Sequence, residues 1–181
     1  MVSLYPDDAR FREVFRRLEL HLERRYEVAV VITDVTDPFT GDLDGESIAI
    51  DYDQSGEDSL FIMIHLFGHT VQWNTDERAR RIGMTQPVLT DRASLDELRD
   101  YELRACRYSL QLLHEIGIHD CDQWLADFAA CDWEYLLHFY RTGEKGAFRS
   151  FWRVGMPLLE PLDIPRFLPT RWRSRNDGIV V

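Results

Sequence analysis

The stretch Leu60-Phe-Ile-Met-Ile-His-Leu-Phe-Gly-His-Thr-Val-Gln-Trp73 limits what this chain can fold into more than any other. It reads as a helix that is apolar on nearly every side and carries two histidines, His65 and His69, spaced i, i+4. A helix without a polar face belongs in an interior. Residues four apart lie one turn apart on the same face, so the two imidazoles share a direction. Buried imidazole nitrogens need partners. Two hydrogen-bonded core histidines would meet that need, and so would one metal ion held by both. With Glu at position 66 the segment would read H-E-x-G-H, the signature of a zinc peptidase helix. Leu66 stands there instead. Gly68 costs such a helix about 1 kcal/mol relative to Ala. Close approach by another backbone, from a sheet edge or from a packed helix, is a reason to keep it.

A second oddity lies further on. Ser94-Leu-Asp-Glu97 has the form of a capping box, and a long helix is expected from it to about Ile116, with Gly117 as its stop. Leu95, Leu98, Glu102, Ala105, Ser109, Leu112 and Ile116 step by three and four along this helix, and Glu102 sits near the centre of the stripe. A carboxylate in a core stripe is expensive unless it is paired. An arginine such as Arg80 or Arg81 is one remedy and a metal is another. His65, His69 and Glu102 together make a 2-His-1-carboxylate set, which suits zinc and also iron or nickel.

Elsewhere the pattern is α+β. A helix is expected from Pro6 to about Arg25, and strands over Val28–Thr33 and Ser47–Tyr52 with a turn-rich loop at Asp37–Gly45 between them. The histidine helix follows, then a loop over Thr75–Asp91 with room for one helical turn, and the Glu102 helix. Two more helices are expected at Asp122–Arg141 and Lys145–Arg153, and then an extended, proline-bearing tail from Met156. The 181 residues fit one domain. A net charge of −11 argues against broad contact with a nucleic-acid backbone. Three cysteines with no C-x-x-C spacing read as reduced thiols. No apolar run is long enough to span a membrane, and the expected location is the cytoplasm.

Three pieces of the chain resemble the ImmA/IrrE-type metallopeptidases of the gluzincin class. They are the strand Ile48-Ala-Ile-Asp51, the motif helix Phe61-Ile-Met-Ile-His-Leu-Phe-Gly-His69, and Glu102-Leu-Arg-Ala-Cys-Arg-Tyr-Ser-Leu-Gln-Leu112, which is similar to E-x-x-A-x-x-(F/Y)-A-x-x-L. The matched region runs over about 28–115; residues 120–181 supply C-terminal helices and the tail. The resemblance implies a zincin-like fold in a single domain, with zinc at His65, His69 and Glu102. It also implies kinship with enzymes that often cleave a DNA-binding repressor in bacteria and phages. The departure is Leu66, which replaces the general base.

Three functions are therefore in play: a metal-binding, proteolytically inactive or impaired relative that works through a protein or peptide partner, an active metallohydrolase with a base from outside the motif, and a metal-free scaffold. Asp58 lies about 10 Å along the helix from His65, too far for a base, whereas Asp76 or Glu77 just past the helix is a candidate. His114 and His119 are i, i+5 with Gly117 between them, a spacing that places them on different faces of a helix. The aromatics of the C-terminal third read as a helical core. The basic segment Arg166–Arg175 reads as a tail docked on the protein's own acidic surface, or as a contact for an acidic partner.

Overall fold

Asp7 opens the first helix, its carboxylate accepting a hydrogen bond from the Arg10 N–H at 2.8 Å. The computed structural model describes residues 4–36, 39–85, 91–144 and 146–173. In it, α1 (Asp8–His21) buries Phe11, Val14 and Leu18 and runs into one π-helical turn, Leu22–Tyr26. Next come β1 (Ala29–Thr33), β2 (Gly41–Leu43), β3 (Ser47–Asp51), α2 (Gly56–Thr75), α3 (Glu77–Thr85), α4 (Arg92–Glu115), α5 (Asp122–Thr142) and a 3-10 turn, Phe148–Phe151. The described residues thus form an α+β arrangement of five α-helices and a three-stranded sheet. None of these helices is long and apolar enough to cross a membrane.

The strand order is β1-β3-β2. β1 and β3 are parallel, with Val30 opposite Ile48 and Ile32 opposite Ile50. β2 is antiparallel to β3, with Leu43 opposite Ile48. Asp51 ties the sheet's end, its carboxylate accepting from the Val35 N–H at 2.8 Å and the Asp53 N–H at 3.2 Å. Those backbone donors hold its carboxyl below the ordinary range.

Four expectations need correcting. β2 falls inside the stretch expected as a loop, of which Asp37 and Pro38 lie outside the described residues; a three-residue strand beginning with glycine has no alternation to announce it. α3 occupies most of the expected 75–91 loop, and 86–90 lie outside the described residues. Asp76 starts it, accepting from the Arg78 and Ala79 amides. α4 is capped by Asp91, which accepts from the Ser94 N–H at 2.9 Å, not by Ser94 itself. The helix expected over 145–153, whose Lys145 lies outside the described residues, is only a 3-10 turn.

α2 is the central element, and Leu60 to Trp73 are all buried. The sheet covers one side through Val30, Leu43, Ile48 and Ile50, and α1 adds Val14 and Leu18, with Leu22 of the π-turn, to the same core. α4 crosses at Gly68, where a methyl group would lie only 2.2 Å from the Ala105 carbonyl oxygen. The close approach is therefore helix on helix. Ser109 reinforces it by donating to the Ile64 carbonyl at 2.7 Å. α5 lays Phe128 on Phe61, ring centroids 3.8 Å apart and 18° from parallel. The tail then runs extended. Its Leu162 N–H donates to Arg107 at 3.2 Å and its Trp172 N–H to Asp44 at 2.8 Å. Arg171 pairs with Asp44 at 3.2 Å and Arg173 with buried Asp42, so the basic segment docks on the chain's own carboxylates. Positions 174 and 175 lie outside the described residues.

Candidate metal centre

His65 and His69 point from α2 towards Glu102 on α4. His65 Nε2 lies 3.0 Å and His69 Nε2 3.1 Å from Glu102 Oε2, and the two imidazole nitrogens are 3.0 Å apart. The side chains of His65, His69 and Glu102 are 3%, 4% and 14% exposed, so what opening there is lies on the glutamate side. Each imidazole is held by a stacked ring: Phe61 on His65 with centroids 5.1 Å apart, and Tyr101 on His69 at 4.4 Å. Tyr101 is itself fixed, its hydroxyl accepting from Trp73 Nε1 at 2.9 Å.

The hydrogen bonds around His69 settle which of its nitrogens faces the centre bare. Gln72 Nε2 lies 2.8 Å from the Tyr101 carbonyl, which only accepts, so that atom is the amide's NH2. Gln72 Oε1 then faces His69 Nδ1 at 2.8 Å and must accept its proton. In the neutral ring His69 Nε2 then carries the lone pair and faces a carboxylate oxygen 3.1 Å away. Two acceptors in contact repel; a cation or a proton between them turns the contact attractive. At His65, Nδ1 pairs with the Cys106 thiol, Sγ 3.4 Å away, a weak partner. Burial pushes the Glu102 carboxyl up, but the two imidazoles outweigh it and hold the group well below the usual carboxylate range. The donors fit a metal. Around a tetrahedral zinc they would stand about 3.3–3.4 Å apart, given bonds of about 2.0–2.1 Å, so the three need spread only slightly.

Leu66 is fully buried and faces the sheet, packed on Gly41 of β2. A further buried acid, within electrostatic reach of these residues, lies on α5. Asp132 is 3% exposed, and its Oδ1 has no hydrogen-bond partner among the described residues. Burial pushes its carboxyl up to about 7; His65 opposes the rise and Glu102 adds to it. The same two carboxylates act on Cys106 and Tyr140, so they share one pocket of field. Asp132 was legible in principle, since it follows Trp124 and Phe128 at four-residue steps on a buried stripe, as Glu102 does on its own. Gln72 and Cys106 left no comparable sign in the sequence.

The other acids are placed elsewhere. Asp76 caps α3 and pairs with Arg104 at 3.2 Å, and Glu77 pairs with Arg81. Asp58 accepts from Ser55 Oγ at 2.7 Å at the start of α2. Arg80 turns to the Trp73 carbonyl and to the Trp172 ring. The histidine pair placed on different faces by its spacing does come together. α4 ends at Glu115, Gly117 at φ 74° turns the chain, and the His119 ring returns to 4.3 Å from that of His114. The i, i+5 expectation fails because the helix does not continue.

Two groups of side chains among the described residues could therefore hold a metal ion: His65, His69 and Glu102, and His114, His119 and Asp122. No protein-family model, no curated protein and no solved structure matches the chain.

Proposed function

We propose that this protein is a metal-binding, zincin-like relative of the ImmA/IrrE-type peptidases, in which His65, His69 and Glu102 hold zinc. On this reading it acts by engaging a protein or peptide partner and not by hydrolysing one. The observation that carries the proposal is the cluster itself: His65 Nε2, His69 Nε2 and Glu102 Oε2 lie 3.0–3.1 Å from one another at a nearly closed site. The order of elements supports the zincin-like assignment: a parallel strand pair, an antiparallel edge strand against the motif helix, and a second helix that delivers the glutamate. Leu66 supports the loss of peptidase chemistry, since a buried alkyl side chain cannot take a proton. A bound divalent ion would supply Lewis acidity at the glutamate side of the centre. The chain's own part is to orient both imidazoles through Gln72 and the stacked Phe61 and Tyr101, and to exclude water from all but that side.

One observation favours a second reading, an active hydrolase. Asp132 brings a carboxyl with an unpartnered oxygen into the same buried region and titrates near neutrality, which suits a general base.

Elemental analysis of wild type beside His69→Ala and Glu102→Ala tests the first reading, together with a peptide-hydrolysis assay with and without chelator. One more zinc per chain in wild type than in either variant, with no chelator-sensitive cleavage, is the expected result. No metal after reconstitution overturns metal binding. Chelator-sensitive cleavage that disappears in Asp132→Asn replaces the first reading with the second.

A further inference from the structure

We propose a second, independent site for a divalent transition-metal ion at the junction of α4 and α5, built from His114, His119 and Asp122. The ligand atoms of these three residues all lie within 4.8 Å of one another. His114 Nε2 faces both oxygens of Asp122, at 2.9 and 3.1 Å. The His119 ring sits 4.3 Å from that of His114, tilted by 43°. The cluster is pre-formed by backbone geometry. Gly117 takes a positive φ of 74°, the Ile118 N–H returns to the Leu113 carbonyl at 3.0 Å, and Ile118 is itself buried at 1% exposure. That anchor returns His119 to His114, and Asp122 follows as the first residue of α5.

The neighbouring acids are engaged elsewhere, which leaves Asp122 to the histidines. Asp120 receives Arg10 at 2.9 and 3.0 Å. Glu115 receives His21 Nε2 at 2.9 Å and the Tyr26 hydroxyl at 2.7 Å. A plain His–Asp ion pair accounts for two of the three residues. It gives no role to a second imidazole laid against the first, whereas one cation accepts a lone pair from each ring and one from the carboxylate. Two imidazoles and a carboxylate select borderline ions such as zinc, nickel, cobalt or copper. Magnesium and calcium prefer oxygen ligands throughout.

His119 is exposed and the other two residues are half-buried, so the site is open and its ion exchangeable. Glu102 and His114 share α4 but stand 12 positions apart, about 18 Å along the axis, and the two centres have no residue in common. A bound ion ties the last turn of α4 to the first turn of α5, the helix that also carries Asp132.

Zinc titration of the metal-free full chain, followed by calorimetry, tests this in wild type, in His69→Ala and in His114→Ala/His119→Ala. Wild type is expected to bind two ions and each variant one. His119→Ala alone, a change at an exposed residue, is expected to weaken the second event at least tenfold without altering the fold seen by circular dichroism. If the double variant retains the wild-type stoichiometry, the proposal is overturned. A second event with a dissociation constant above about 1 mM marks adventitious binding and overturns it too. The first centre is read out separately. If it alone fails, wild type binds one ion, His69→Ala still binds it, and the His114/His119 variant binds none.

Discussion

Gly68→Ala is the sharpest test of how α2 and α4 meet. In an ordinary helix this substitution stabilises by about 1 kcal/mol, the propensity difference between the two residues. Here the added methyl carbon would lie 2.2 Å from the Ala105 carbonyl oxygen and 2.7 Å from the Ala105 carbonyl carbon and Cα. All three atoms are backbone, so no rotamer change relieves the clash. Ordinary contact begins at 3.4 Å, so α4 must retreat by about 1 Å at this point. Overpacking of this kind costs about 1–3 kcal/mol, and the upper end applies because a whole helix moves. The net expectation is a loss of about 2 kcal/mol, the opposite sign to the propensity effect. The same retreat stretches the Ser109 bond to Ile64, now 2.7 Å, and draws Glu102 away from the imidazoles it meets at 3.0 and 3.1 Å. Urea unfolding of the chelated variant reads the first effect and zinc titration reads the second, with affinity expected to fall at least tenfold. A variant as stable as wild type, or more stable, would refute the close helix crossing.

Asp132→Asn gives a pH-dependent gain. Burial pushes the folded carboxyl up to about 7, against about 3.9 for an exposed aspartate. Its contribution is fully present below about pH 4 and is lost as pH rises through about 7. Glu102 is depressed, so its contribution disappears only below the ordinary carboxylate range, outside that window. Melts in chelator should show the variant gaining on wild type from pH 5 to pH 8, and a constant difference would refute the buried neutral acid. Arg173→Ala breaks the pair with Asp42, whose partners are 13% and 1% exposed, and should cost about 3–5 kcal/mol in urea unfolding. Arg171→Ala, at 59% exposure, should cost under about 1 kcal/mol; equal effects would mean that the tail does not dock as described. Leu66→Glu places a charge in a fully buried spot against β2 and should lower the unfolding midpoint without giving chelator-sensitive peptide cleavage. A gain of cleavage would show that the position faces the centre.

The centre was legible because its parts break local rules. Two histidines in a helix with no polar face, and a glutamate in the middle of an apolar stripe, stand out from residue order alone. Their convergence could not be read that way. It depends on Gly68 admitting the α4 backbone, and one glycine fits a sheet edge as well as it fits a helix. The small sheet was half visible. β1 and β3 carry β-branched runs, while β2 exists only through pairing with β3 and has three residues to show for it. Helical spacing separates His114 from His119 only if the helix runs through Gly117, and α4 has already ended there. Asp132 breaks the same rule as Glu102, on a helix whose large aromatics dominate its pattern.

Leu66 and Asp132 are best understood together, as a matter of charge in a nearly dry core. A Glu at position 66 would put its carboxylate against β2, where Leu66 packs on Gly41. This chain carries a second buried carboxyl on α5, where burial pushes Asp132 up to about 7 while Glu102 is held well below the usual carboxylate range. A divalent cation between the imidazoles and Glu102 changes that balance. Its field favours the ionised form of Asp132, and two carboxylates then neutralise one dication with no net charge left buried. The same cancellation is available to an ion held for structure and to one that serves chemistry, so the charge balance supports metal binding under both readings of Asp132. What separates the readings is whether the unpartnered Oδ1 faces a substrate or only the ion, and Asp132→Asn divides them by leaving metal binding in one case and abolishing cleavage in the other.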